Sequence, residues 1–314
     1  MIVTVTLNAA LDITYHTPAL VPHTTHRVSD VTERPGGKGL NVARVLSALG
    51  HETVVTGFAG GRTGDVLREL LGNSGPGGSR GRPVDALVPI SGATRRTLAV
   101  VDETSGDTTQ LNEPGPTVSS AEWSDFLGAY ERLLTGADAV ALCGSLPPGI
   151  HVGAYAELIR RARAAGVPVL LDTSGEPLRR GVAARPDLVK PNADELARLT
   201  GSREPLRAAR DARRRGAHAV IASLGPDGIL AATPDGIWQA TPPASVKGNP
   251  TGAGDSAVAG LLSGLVEQLP WPARLARAVA LATATVLAPA AGEFDTEAYE
   301  ELLPRVTVSE HPGS

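Results

Sequence analysis

A chain of 314 residues, 42% hydrophobic and 20% charged, has enough apolar material for an ordinary buried core and needs no cross-links to fold. Its formal net charge of −4 argues against a surface built to grip nucleic acid or an anionic membrane, since such surfaces depend on clustered Lys and Arg. Cys143 is the only cysteine, which excludes a disulfide within the chain and makes a reducing, cytoplasmic setting the expectation.

Ile2 to Leu7 is a β-branched run that reads as a first strand, and Met1 to Leu7 has neither the basic start nor the small-residue cleavage site expected of a secretory signal. Val42, Val45, Leu46 and Leu49 fall at helical spacing, so Asn41 to Leu49 is expected to be a helix stopped by Gly50. Thr53 to Phe58 resumes strand character. Gly72 to Pro83 has no large apolar residue and is expected to be a mobile loop. Further strands are expected at Ala139 to Cys143, Val167 to Asp172, Leu188 to Val189 and Ala219 to Ser223, with helical stretches between them. Ala278 to Ala291 is apolar but mostly alanine and too short to span a bilayer, so it reads as a buried helix. The alternation predicts an α/β fold with a doubly wound, mostly parallel sheet. Two stretches break the rhythm, Asp12 to Thr32 and Thr94 to Asn112, where Thr, Val and Leu alternate and turns such as Ser105-Gly106-Asp107 intervene. They predict a small antiparallel β-flap, about 12–33 and 92–113, beside one principal domain covering 1–314.

Two segments carry chemistry. In Asn249-Pro-Thr-Gly-Ala-Gly-Asp-Ser256 a glycine turn enters the helical pattern Val258, Leu261, Leu262, Leu265. Backbone N–H groups at the positive end of a helix dipole suit a phosphate or the charge that develops in phosphoryl transfer. Asp255 then lies in the first turn, within reach of an attacking hydroxyl, and the helix dipole is expected to keep it ionised and weakly basic. A plain preference of Asp for helix N-termini accounts for the same residue. Gly252-Ala-Gly254-Asp-Ser-Ala257 also matches a dinucleotide fingerprint, but Asn249 and Pro250 are poor strand residues and no acidic residue stands near position 275. No GxxxxGK[ST] occurs, so a nucleotide enzyme here uses another fold. The second segment is Pro35-Gly-Gly-Lys-Gly39, followed by Asn41. A lysine among three glycines reads either as an anion or sugar loop, or as a turn with a solvated lysine.

With these two segments the chain resembles the ribokinase-like PfkB sugar kinases, and within them the phosphofructokinase and tagatose-6-phosphate kinase branch. Leu7-Asn-Ala-Ala-Leu-Asp12, Gly36-Gly-Lys-Gly-Leu-Asn41, Leu111-Asn-Glu-Pro-Gly-Pro116, Gly144-Ser-Leu-Pro-Pro-Gly149, Lys190-Pro-Asn-Ala-Asp-Glu195, Ser223-Leu-Gly-Pro-Asp-Gly228 and Thr251-Gly-Ala-Gly-Asp-Ser256 stand in the family's order. The resemblance implies an ATP-dependent kinase acting on a sugar phosphate, with fructose 1-phosphate favoured and tagatose 6-phosphate or fructose 6-phosphate as alternatives. A non-catalytic sugar sensor of the same fold is the rival from another class. Asp255 is implied as base, with Gly252, Ala253 and Gly254 forming the anion turn. Asp12, Gly37, Asn41 and Ser145 are implied for the sugar, and Lys38 and Arg95 for the phosphate it already carries. Arg96 is adjacent to Arg95 and must face the other way on a strand. Relatives with a further basic residue near Gln110 make that departure notable. Lys190, Asn192, Ser223, Gly225 and Gly228 are implied for the nucleotide, and Glu195 for Mg²⁺ through water. Asn192 and Glu195 equally fit a capping box, and Gly225 to Gly228 a β-turn. A monovalent cation and a homodimer joined through the flaps are also implied. Cys143 reads as a strand-end filler rather than a nucleophile, even with His151 nearby in sequence.

Overall fold

The computed structural model describes residues 1–73 and 81–311. Most of the expected Gly72 to Pro83 loop therefore lies outside the described residues, while Gly72 and Asn73 close a helix, α2 (Gly61–Asn73). The main sheet has ten strands. Its parallel part runs β5 (Val84–Ile90), β4 (Thr53–Gly60), β1 (Ile2–Thr6), β8 (Ala139–Cys143), β9 (Val169–Asp172), β10 (Leu188–Val189), β11 (Ala219–Ser223). Three antiparallel strands extend it, β12 (Ile229–Thr233), β13 (Gly236–Thr241) and β14 (Thr307–Glu310). β9 begins at Val169 and not at Val167, because Pro168 has no N–H to give to a ladder.

Side-chain alternation feeds two cores. Val3, Val5, Val140, Leu142, Val169, Leu171 and Val220 point to one face and pack with α3 (Ser120–Leu134), α4 (Ala154–Ala164), α5 (Gly175–Ala183), α6 (Ala193–Thr200) and α7 (Pro205–Arg214). Ile2, Ala139, Ala141, Cys143, Leu170 and Ile221 point to the other and meet α1 (Lys38–Ala48), α8 (Ala253–Val266) and α9 (Trp271–Val286). Near-continuous burial of β1, β8 and β9 follows from helices covering both faces. α1 starts at Lys38, three residues before the expected Asn41, since Gly37 takes a φ of 117° as N-cap and turns the chain directly into the helix. α9 stops at Val286, short of the expected Ala291; Pro289 disfavours helical backbone in the residue before it.

The flap is a separate four-stranded sheet ordered β3 (Asp30–Gly36), β2 (Ala10–Thr17), β6 (Arg95–Asp102), β7 (Thr108–Asn112). It is not wholly antiparallel. The β2–β3 and β6–β7 pairs are, but β2 and β6 run parallel at the centre, with Asp12 opposite Thr97. Between them the chain passes through α1, β4, α2 and β5, and a return of that length lets β6 enter in the direction of β2. No helix among the described residues is long and apolar enough to cross a membrane.

Candidate active site

The carboxyl ends of β1, β8, β9 and β10 open toward the N-termini of α1 and α8, the usual position for a site in an open α/β sheet. Gly252, with φ 87°, is the N-cap of α8, and the helix closes its first bond from Ser256 N–H to Gly252 O at 2.9 Å. The amides of Gly254 and Asp255 precede that bond, so they have no intrahelical acceptor. Glycine is required at 252, where a Cβ would stand 2.8 Å from Ala291.

Asp255 is only 7% exposed, and Asn41 Nδ2 from α1 donates to its Oδ2 at 2.8 Å. Burial, reinforced by the negative charge of Asp172, lifts its pKa to about 6, against the opposing pull of Asn41, Lys38 and Lys190. The expectation that Asp255 is ionised near neutral pH agrees with a pKa of about 6, while burial makes it a better proton acceptor than the weak base expected from the helix N-terminus.

Asp172 ends β9 at 1% exposure and was missed by the motif reading. Lys38 Nζ donates to both its oxygens at 3.4 Å, and Lys190 Nζ lies 3.6 Å from Oδ1. Burial opposes the Lys38 ammonium, yet Asp172 and Asp255 outweigh it and hold the lysine charged above its ordinary pKa. Gly254 closes on the same group, since a Cβ there would be 3.5 Å from Lys190 Nζ. The available signal for Asp172 was a lone carboxylate terminating the wholly apolar run Val169-Leu-Leu171.

Lys38 and Arg95, expected to act together, belong to different clusters. Arg95 sits at the flap end of the site, where its Nε donates to Asn8 O at 3.2 Å and its Nη1 to Glu113 O at 3.3 Å. It lines an open groove of about 520 Å³ with Ser91, Gly92 and Thr117. Arg96 faces outward to pair with Glu113 at 2.7 Å, as strand alternation requires. Gln110 is exposed on β7. Asp12 projects from β2 beneath Gly36, where a Cβ would stand 2.1 Å from its carboxyl. Burial raises its pKa to about 6, opposed by a hydrogen bond from Thr97 and by the charges of Arg95 and Arg44. Asn8 Nδ2 bridges Pro114 O and Ser145 Oγ, both at 3.1 Å, tying Ser145 to the flap side. A second missed cluster ties β3 to α1: Glu293 pairs with Arg34 and, at 2.8 Å, with Arg44.

On the far side of Gly254 a cleft of about 610 Å³ is lined by Asn192, Ser223, Gly225 and Gly228, as expected for one ligand subsite. Its apolar wall, unassigned from the sequence, comes from Ala257, Val279, Ala282 and Val286 and from the segment through Val246 and Gly248. Gly225-Pro-Asp227 is a 3₁₀ turn. Asn192 and Glu195 do form the capping box of α6, with Glu195 N–H to Asn192 Oδ1 at 2.8 Å and Asn192 N–H to Glu195 Oε2 at 2.9 Å. Glu195 nevertheless lies within electrostatic reach of Lys38. Among the described residues no group of three or more His, Cys, Asp or Glu is placed to hold a metal by itself. Cys143 is fully buried with its thiol pKa pushed up by desolvation, and His151 pairs with Glu157, so neither offers a nucleophile.

A mostly parallel sheet covered by helices on both faces, with a separate β-flap, is the ribokinase-like fold. The chain is 33% identical over 318 residues to tagatose-6-phosphate kinase of Staphylococcus epidermidis, covering 99% of this chain and all of that one. Phosphofructokinase-2 from Escherichia coli in complex with fructose 6-phosphate superimposes with a TM-score of 0.86 at 30% identity, over 96% of this chain and 98% of that one. A possible 1-phosphofructokinase from Thermotoga maritima gives 0.85 at 28% identity, over 99% of both chains. The pfkB family carbohydrate kinase model matches residues 5–298, and the chain belongs to that family.

Proposed function

We propose that this kinase transfers the γ-phosphoryl group of ATP to a free hydroxyl of a small sugar phosphate, with fructose 1-phosphate as the favoured acceptor and fructose 1,6-bisphosphate as product. The observation that carries the reading is the buried Asp255 carboxylate beside the free amides at the start of α8, with Lys38 and Lys190 drawn together by Asp172. Asp255 accepts the proton of the attacking hydroxyl, and Asn41 holds its carboxylate in position. Lys38, Lys190 and the amides of Gly254 and Asp255 receive the charge of the migrating group, the Ala253 amide being taken by Pro250 O at 3.2 Å. This moves Lys38 from the acceptor's resident phosphate to the transferred one. Arg95 takes the resident phosphate, its open groove leaving guanidinium donors for an anion. Asp12 accepts hydrogen bonds from two sugar hydroxyls, with Gly37 and Ser145 bounding the same pocket.

The cleft beyond Gly254 suits a nucleotide: glycine and Asn192 or Ser223 polar groups at its mouth, small apolar residues of α9 for a planar base. The all-oxygen donor set fits Mg²⁺ held mainly by nucleotide phosphates and water, with Glu195 contributing through water. Bound there, Mg²⁺ neutralises charge on the phosphates. The flap, with Val28, Val31 and Leu111 39%, 54% and 59% exposed, would cover the sugar and join a second copy in a homodimer. A cytoplasmic setting accords with the single reduced cysteine. Tagatose 6-phosphate and fructose 6-phosphate are the alternative acceptors, carried by the names of similar proteins. The roles separate kinetically. Arg95→Ala should raise KM for the sugar phosphate by about 1–3 kcal/mol with little change for ATP, whereas Lys38→Ala should lower kcat. A loss of kcat with unchanged KM for Arg95→Ala contradicts its assignment.

A further inference from the structure

The amino ends of the same parallel strands hold a second concentration of positive charge, at the edge of the sheet away from Asp255. A cleft of about 610 Å³ is lined there by Arg163, Arg185, Arg210, Arg213 and Arg214, with Asp187 as its only lining carboxylate. Asp187 is already committed, its Oδ2 accepting Val169 N–H at 2.8 Å. Arg214 meets Asp211 at 3.0 Å, but Asp211 is shared with Arg215 at 2.7 Å.

Helices α4, α5 and α7 all end at this cleft, and basic side chains at helix C-termini are ordinary. Arg163 donates to Ala184 O at 3.2 Å, and Arg213 to His218 O and Thr233 O at 3.0 and 2.7 Å, so their placement is explained in that way. The charge is not. Three helix ends supply roughly half a negative charge each, short of the Arg163, Arg185 and Arg213 guanidinium groups alone.

Arg185 is the telling residue. It has φ 65° just after α5, where α1, α4 and α7 are followed by Gly50, Gly166 and Gly216 at positive φ. Gln268 shares that strained conformation after α8, so strain alone decides nothing. What sets Arg185 apart is that its exposed guanidinium has no hydrogen bond or ion pair among the described residues and lines the basic cleft. We infer that this cleft binds a small, multiply phosphorylated anion, at a site separate from the catalytic one. The two-residue β10 has Asp187 at one end and Lys190 at the other, so roughly 10 Å of backbone divides the sites. A sugar bisphosphate, a nucleoside polyphosphate and inorganic polyphosphate share the required chemistry.

The test compares wild type with Arg185→Gly/Arg214→Gln, since glycine is at ease at φ 65° and Arg214 lies on an exposed helix end. Arg210→Gln is an independent variant. Titration calorimetry with inorganic triphosphate should find one more bound equivalent in wild type than in the double variant, with unchanged ADP release when no triphosphate is added. The affinity of that equivalent should fall at least about tenfold between about 50 and 250 mM salt. Repeating the titration with fructose 1,6-bisphosphate and with ATP assigns the source by which compound shows the variant-sensitive equivalent. Equal stoichiometry and affinity in wild type and both variants overturns the site.

Discussion

Asp255 carries a cost in stability that its chemistry requires. Its folded pKa of about 6 stands above the ordinary carboxylate value, so its contribution to stability is fully present below about pH 4 and is lost as pH rises through 6. Asp255→Asn should therefore stabilise the protein above pH 6, by up to about 3 kcal/mol in urea unfolding, with the gain vanishing near pH 4. The same variant should lose at least roughly 10²-fold in kcat. Wild-type kcat/KM should fall as pH drops below about 6, where Asp12 also gains a proton. Near-normal turnover by the variant would remove Asp255 from its role. Asp172→Asn should destabilise by roughly 3 kcal/mol or more, because Lys190, 5% exposed, would lose the carboxylate that faces it. Asp255, Lys38 and Asn41 were legible because glycines at fixed spacing mark an anion turn. Asp172 was the last letter of an apolar strand, and nothing in the order of residues tells that two lysines from positions 38 and 190 converge on it.

Among the elements that build the site, the N-terminus of α1 leaves little room for substitution. A Cβ at Gly39 would meet Thr6 Oγ1 at 2.2 Å and Val5 O at 2.9 Å, the second being backbone that cannot rotate away. Gly39→Ala should cost about 1–3 kcal/mol and lower kcat by displacing Lys38 and Asn41. Gly50→Ala meets nothing within 4 Å but has φ 89°, so it should cost about 1 kcal/mol and leave kinetics unchanged. Equal kinetic effects would break the link between the α1 entry and the site. Six of the seven parallel strands were legible from short apolar runs, down to Leu188-Val189, whereas β5, with its mixed Val-Asp-Ala-Leu-Val-Pro-Ile sequence, was not. The parallel pairing of β2 with β6 was not, because residues 12 and 97 meet only after five elements have folded between them. The wall of the second cleft was hidden for a similar reason: the alanines of α9 read as plain core until α8 and the 244–248 segment are set beside them. Ala282→Phe should fill that wall and raise KM for ATP at least roughly tenfold while sparing the sugar phosphate.

At the scale of the whole molecule, the ten-stranded sheet forms the floor and the four-stranded flap the roof of the proposed acceptor site. The flap's exposed valines and leucine set a further expectation: Val31→Glu/Leu111→Glu should shift the protein from dimer to monomer in sedimentation and weaken sugar-phosphate binding more than ATP binding. On the proposed assignment, acceptor choice rests on Arg95 and its groove at one end of the site and on Asp255 at the other, which makes the phosphorylated state of the sugar the property to test. Turnover should therefore be followed by ADP release with fructose 1-phosphate, tagatose 6-phosphate, fructose 6-phosphate, fructose and ribose under one set of conditions. The expected result is kcat/KM for a phosphorylated sugar at least roughly 10²-fold above that for any plain sugar, highest for fructose 1-phosphate. Preference for an unphosphorylated sugar, or no ADP release with any of the five, would contradict it.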